Sequence, residues 1–236
     1  MTVDVRPREP VTGTAYVDLL WIPLGAGRTT GVVRTSGRAY EAIAAHHQQR
    51  QRSDLYHSAL EVGIDGHKYV IEMTPVWGLP PGDRGVLVEG PVGLQALGRY
   101  RLFRYEVHCW RDGVIPDRDE VVGSPVRLSS TTESARAVLD LVDGFPPATW
   151  GRDELGTGEM WNSNSLAAWL LVRSGHDLEQ VNMPSQGRAP GWSAGMNVAH
   201  RTEQRASRAD RLIVGGVGRL QTSRQDGAKQ GWASAD

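Results

Sequence analysis

The residues best suited to chemistry are His57 and Glu72, which flank an Asp65-Gly66 pair, and Ser163, which stands between Asn162 and Asn164 ahead of an apolar run. Asp-Gly between two strand-like runs signals a two-residue hairpin turn. Counting outward from it sets Ile64 opposite His67, Val62 opposite Tyr69, Ala59 opposite Glu72 and His57 opposite Thr74. Opposed residues share a sheet face, as do residues two apart. His57, Ala59 and Glu61 therefore share a face with Val70, Glu72 and Thr74, and Glu72 is the diagonal neighbour of His57, about 7–8 Å away at the backbone. A carboxylate so placed can fix the tautomer of an imidazole that acts as a base. The same pair is also an ordinary cross-strand contact. His67, at the turn, lies about 20–25 Å along the strand from His57 and cannot join it.

Asn162, Ser163 and Asn164 open the run Leu166-Ala-Ala-Trp-Leu-Leu171, which reads as a buried helix closed by Gly175. The first amides of a helix have no intrahelical partner, and the dipole there favours negative charge. Such an end suits an oxyanion or an activated nucleophile. Asn and Ser are equally the best helix caps, so plain capping explains them too.

Other chemistry-bearing residues carry less. Gly25-Ala-Gly27-Arg-Thr-Thr-Gly31 follows a strand but is followed by the β-like Gly31-Val-Val-Arg34 and by no Gly-Lys-Ser/Thr, so it reads as a turn and not as a nucleotide loop. His46 and His47 fall on a polar helix face, and His176 and His200 are isolated. His108 and Cys109 are strand neighbours and point to opposite faces, so they cannot chelate one ion together. A lone cysteine excludes an internal disulfide and any zinc site built on several thiolates. No metal and no cofactor is expected.

Strands are expected over Tyr16–Leu24, His57–Ile64, His67–Thr74, Leu102–Trp110 and Val121–Leu128, and helices over Gly37–Arg52, Thr131–Val142 and Ser163–Arg173. Gly78–Gly93 and Gly187–Gly195 read as loops. Trp77, Trp150, Trp161 and Trp192 can line an apolar cleft or serve as pieces of a core. The chain carries 26 basic and 27 acidic residues for a net charge of -1, a balance that gives no electrostatic footprint for nucleic acid. No apolar run approaches the roughly 20 residues of a membrane span, and the polar start is unlike a signal peptide, so a cytoplasmic protein is expected. Residues 1–12 read as a polar lead-in, 13–200 as one domain, and 201–236 as a basic, mostly disordered tail anchored at most by Leu212-Ile-Val214.

His57-Ser-Ala-Leu-Glu-Val, Tyr69-Val-Ile-Glu72-Met and Asn162-Ser163-Asn-Ser-Leu-Ala-Ala-Trp-Leu-Leu171, in that order, resemble the permuted papain-like NlpC/P60-type superfamily, in its lecithin:retinol acyltransferase and YiiX-like branch. The resemblance covers roughly residues 55–172 and departs from the family at Ser163, where the nucleophilic cysteine would stand. It implies an α+β fold: a mixed or antiparallel sheet of five or six strands, with the Ser163 helix packed against the face bearing His57. It also implies hydrolysis or acyl transfer at an amide, ester or thioester carbonyl. Ser163 would attack, His57 would be the base, Glu72 would orient it, and the amides at Ser163 and Asn164 would hold the oxyanion. The alternative is a degenerate module that binds a peptide, acyl or small-molecule ligand without turning it over.

Overall fold

Asp65 and Gly66 both take positive φ, 51° and 77°, as a type I′ hairpin turn requires. They join β2 (Asp54–Ile64) to β3 (His67–Pro75), paired antiparallel from Ile64↔His67 to Leu60↔Ile71 in the register expected from the sequence. The computed structural model describes residues 14–24, 49, 51, 53–76, 85–115, 118–179, 181–185 and 187–226, with side chains of the last helix described through 208 and at 211.

Around the hairpin, β1 (Tyr16–Pro23) lies along β2 and β5 (Arg104–Arg111) along β3. The rims are β4 (Val86–Pro91) and β6 (Val126–Ser129), giving the order β4-β5-β3-β2-β1-β6 with antiparallel neighbours throughout. A two-residue β7 (Gly187–Arg188) runs parallel to the start of β2 and brings the sheet to seven strands. The β4–β5 pairing shifts register between Val86 and Val88.

The two faces of the sheet differ. Leu19, Trp21, Leu60, Val62, Ile71, Met73 and Val107 point into the main core. Among the described residues, three α-helices complete that core: α1 (Thr132–Leu139), α2 (Ser163–Arg173) and α3 (Trp192–Asp226). Thr131 caps α1, accepting from the Ser134 amide at 3.2 Å, and Ala135 and Val138 are its buried stripe. Every residue of α2 from Ser163 to Val172 is buried, as expected of a helix that is apolar nearly all round. Gly195 lets α3 cross the first turn of α2, because a Cβ there would run into the backbone of Ser165. The other face carries a smaller cluster of Leu20, Ile22, Ala59, Val70 and Ile115.

Among the described residues the fold is α+β, as expected, with seven strands, one more than the upper expectation. The extra strands come from short or disguised segments. β4 sits in a stretch so rich in glycine and proline that it reads as a loop, and β7 has only two residues. The strand expected from Val121 begins at Val126, after a 3₁₀ turn at Arg118–Glu120, and Arg101–Phe103 is also a 3₁₀ turn ahead of β5. Residues 201–226, expected without fixed structure, continue α3. The proline-free run of Ala, Arg and Gln after Trp192 favours helix, and the Arg201 guanidinium ties it to the Leu155 and Gly156 carbonyls at 2.7 and 2.9 Å. The lead-in at 1–12, the Gly25–Gly31 turn and all but scattered residues of the helix expected over 37–52 lie outside the described residues.

Candidate functional site

Strand alternation and register assemble a polar cluster on the face of the smaller core. Ile22 opposes His57, Glu72 opposes His108, and Thr74 opposes Glu106. β2 and β3 pair as far as Leu60↔Ile71, and strand alternation beyond that point keeps His57 and Ala59 on the same face as Glu72 and Thr74. Thr74 and Glu106, and Glu72 and His108, are direct neighbours across β3 and β5.

Glu106 and His108 are 5 % and 4 % exposed and share a 2.9 Å contact from Oε2 to Nε2. A buried imidazole held by a carboxylate has a fixed ring orientation. His57 and Glu72 are half-buried. Burial pushes the His57 imidazole down to about 4, so it is neutral at neutral pH. The Thr74 hydroxyl, on the strand position opposite Glu106, is buried without a hydrogen-bond partner. An unpaired buried hydroxyl costs about 1–3 kcal/mol, which makes it a natural point for a ligand group or water to enter. The next buried carboxylate on this face, Glu61, is held differently. Burial alone would raise it, but Arg118, at 2.9 and 3.1 Å, and Lys68 outweigh that and hold it below the usual range.

The second group of sequence candidates lies at the start of α2, where it forms a tight polar knot. Asn162 is the cap: its Oδ1 accepts from the amides of Asn164 and Ser165 at 2.9 and 3.4 Å, and the Ser165 hydroxyl accepts from the Asn162 amide at 3.1 Å. This is a complete capping box. Asn164, 2 % exposed, donates to the Tyr56 and Pro190 carbonyls and accepts from the Ser58 hydroxyl, all at 2.9 Å. Gly191, at φ +89°, permits the knot, since a Cβ there would strike Asn162 and the Met160 carbonyl. Ser163 is 4 % exposed at the first helical position.

The structure thus brings Glu72 and His57 onto one face and sets Ser163 apart from them. Ser58 turns its hydroxyl to Asn164, so α2 begins over the face of Tyr56, Ser58 and Leu60. β1 and β2 pair without a shift from Tyr16↔Gly63 to Pro23↔Tyr56, and His57 projects from the opposite face. The expectation that the Ser163 helix covers the face bearing His57 is corrected on this point. The Asn164 amide, expected to face an oxyanion, is engaged by Asn162 instead.

His67 sits at the turn, as expected, where its ring contacts Arg111 and Asp112. The His176 Nδ1 lies 2.9 Å from the Ser174 hydroxyl, in hydrogen-bond contact, and burial lowers the pKa of the ring. Cys109 packs against the main core, where burial pushes its thiol up to about 11. Sequence reasoning missed Glu106, His108 and Thr74 as members of one cluster. The Glu-Val-His spacing put Glu106 and His108 on one face, but nothing local sets β5 against β3. Among the described residues no group of three His, Cys, Asp or Glu is placed to hold a metal ion, and no helix is long and apolar enough to cross a membrane. Comparison with known proteins finds no matching family model, no matching curated protein and no matching solved structure.

Proposed function

We propose that this protein is a ligand-binding module in which the nucleophile position of the papain-like pattern, Ser163, is the buried first residue of a helix capped by Asn162. The observation that carries this reading is the Ser58–Asn164 hydrogen bond, which fixes α2 on the face away from His57. A serine nucleophile needs its base within hydrogen-bond reach, about 2.6–3.2 Å. An imidazole near 4 is also a poor proton acceptor at neutral pH, where a base works best with a matched pKa. The neutral His57 and the Thr74 hydroxyl instead offer acceptors to a small molecule, peptide or acyl compound that presents N–H or O–H donors.

The test has three arms. Fluorophosphonate labelling of the wild type should not exceed that of Ser163→Ala. A cysteine introduced by Ser163→Cys should react with iodoacetamide at pH 7 no faster than a small free thiol, with or without His57→Gln. Native mass spectrometry of the purified protein should show a bound small molecule that Thr74→Val loses. Labelling abolished by both Ser163→Ala and His57→Gln would restore the hydrolase reading, and absence of any adduct would remove the binding one.

A further inference from the structure

Three of the most exposed large apolar side chains fall within nine residues: Leu94 at 52 %, Tyr100 at 51 % and Leu102 at 61 %. They ride on two consecutive 3₁₀ turns, Gln95–Arg99 and Arg101–Phe103, neither of which contains a buried residue. Arginines interleave with them. Arg99 and Arg101 are exposed, and the Arg99 guanidinium lies 4.7 Å from the centre of the Tyr100 ring. Arg152 reaches the same place, donating to the Gly93 carbonyl at 2.6 Å. The Glu89 carboxylate nearby pairs with Arg104. The turns themselves, residues 94–103, hold two arginines and no acidic residue in a chain whose net charge is -1.

We propose that these turns are a docking surface for an anionic lipid bilayer. Leucine tips separated by guanidinium groups match the boundary between acyl chains and headgroups: the apolar ends enter, the guanidiniums meet phosphates, and tyrosine takes the interfacial level. The charge pattern selects this occupant. A single-stranded nucleic acid would use the arginines and the tyrosine ring but has no role for two half-exposed leucines. A partner helix would need an apolar groove, and the exposed apolar residues here alternate with cations.

The experiment is co-sedimentation of the full chain with vesicles of phosphatidylcholine alone or with 30 % phosphatidylglycerol. The two arginines of the turns near an anionic surface should give about thirtyfold tighter binding to the mixed vesicles at low salt, weakening as ionic strength rises. Tyr100→Ser with Leu102→Ser should lose binding with the charge intact, and Arg99→Gln with Arg101→Gln should reduce the preference about tenfold or more. All these positions are exposed, so both double variants should keep the wild-type unfolding midpoint. Equal partition into both vesicles, or unchanged binding by the Tyr100/Leu102 variant, overturns the proposal, as does binding to a single-stranded RNA without binding to vesicles.

Discussion

Replacing Asn164 by Ala should cost far more stability than replacing the neighbouring Ser163. The Asn164 side chain makes three hydrogen bonds at 2.9 Å from a residue only 2 % exposed. Each such bond contributes about 1 kcal/mol net, and a buried group that loses its partner costs a further 1–3 kcal/mol. The Pro190 carbonyl keeps a second donor in Asn162 at 2.8 Å, so the Ser58 hydroxyl and the Tyr56 carbonyl bear the loss. The expected penalty is about 3–4 kcal/mol, a large part of the 5–15 kcal/mol that holds a typical domain together. Ser163→Ala removes one hydroxyl at the first helical position, where alanine is the better helix former, and should stay within about 1 kcal/mol. Urea unfolding at pH 7 measures both, and unchanged slopes license the comparison. A penalty below about 1 kcal/mol for Asn164→Ala, or an equal one for Ser163→Ala, would refute the view that Asn164 clamps β2 to α2.

Two further outcomes follow from the same geometry. His57 titrates near 4 in the folded chain against 6.5 unfolded, so between those values the unfolded state binds the additional proton. Stability should therefore be insensitive to His57 above about pH 6.5 and fall by about 2–3 kcal/mol as pH drops to 4. His57→Gln should flatten that limb of the stability profile, and an unchanged slope would mean the imidazole is hydrated. Gly191→Ala combines a left-handed φ with a collision against the α2 cap, and should lower the unfolding free energy by at least about 3 kcal/mol. A loss under about 1 kcal/mol, read by thermal or urea unfolding, would show that the 189–191 turn is free to shift.

Local chemistry made part of the site legible. The Asp65-Gly66 turn fixes the hairpin register, so His57 and Glu72 could be placed on one face from residue types alone. The caps and apolar run of α2 delimit that helix to the residue. The face it covers depends on competition between the two sides of β2. Tyr56, Ser58, Leu60, Val62 and Ile64 form a more apolar set than His57, Ala59, Glu61 and Gly63, and the helical layer buries the greasier side. That comparison was available in the sequence, and it points against a site joining His57 to Ser163. The association of Glu106 and His108 with Glu72 was not available, because β3 and β5 are separated by a long connection and their register is set by tertiary packing. β4 was hidden for a related reason: its few apolar residues matter only once β5 offers a partner.

The rims of the sheet bear on behaviour at high concentration. An open sheet leaves unpaired backbone groups at both ends, a ready template for strands of other copies. Here one rim is β6, only four residues long, and the other is β4, broken by its register shift at Val86–Val88 and ended by Pro91. A bulge twists an edge away from flat pairing, and proline removes a donor from it. Among the described residues neither rim presents a long regular ladder, which disfavours edge-to-edge pairing between copies at these two strands.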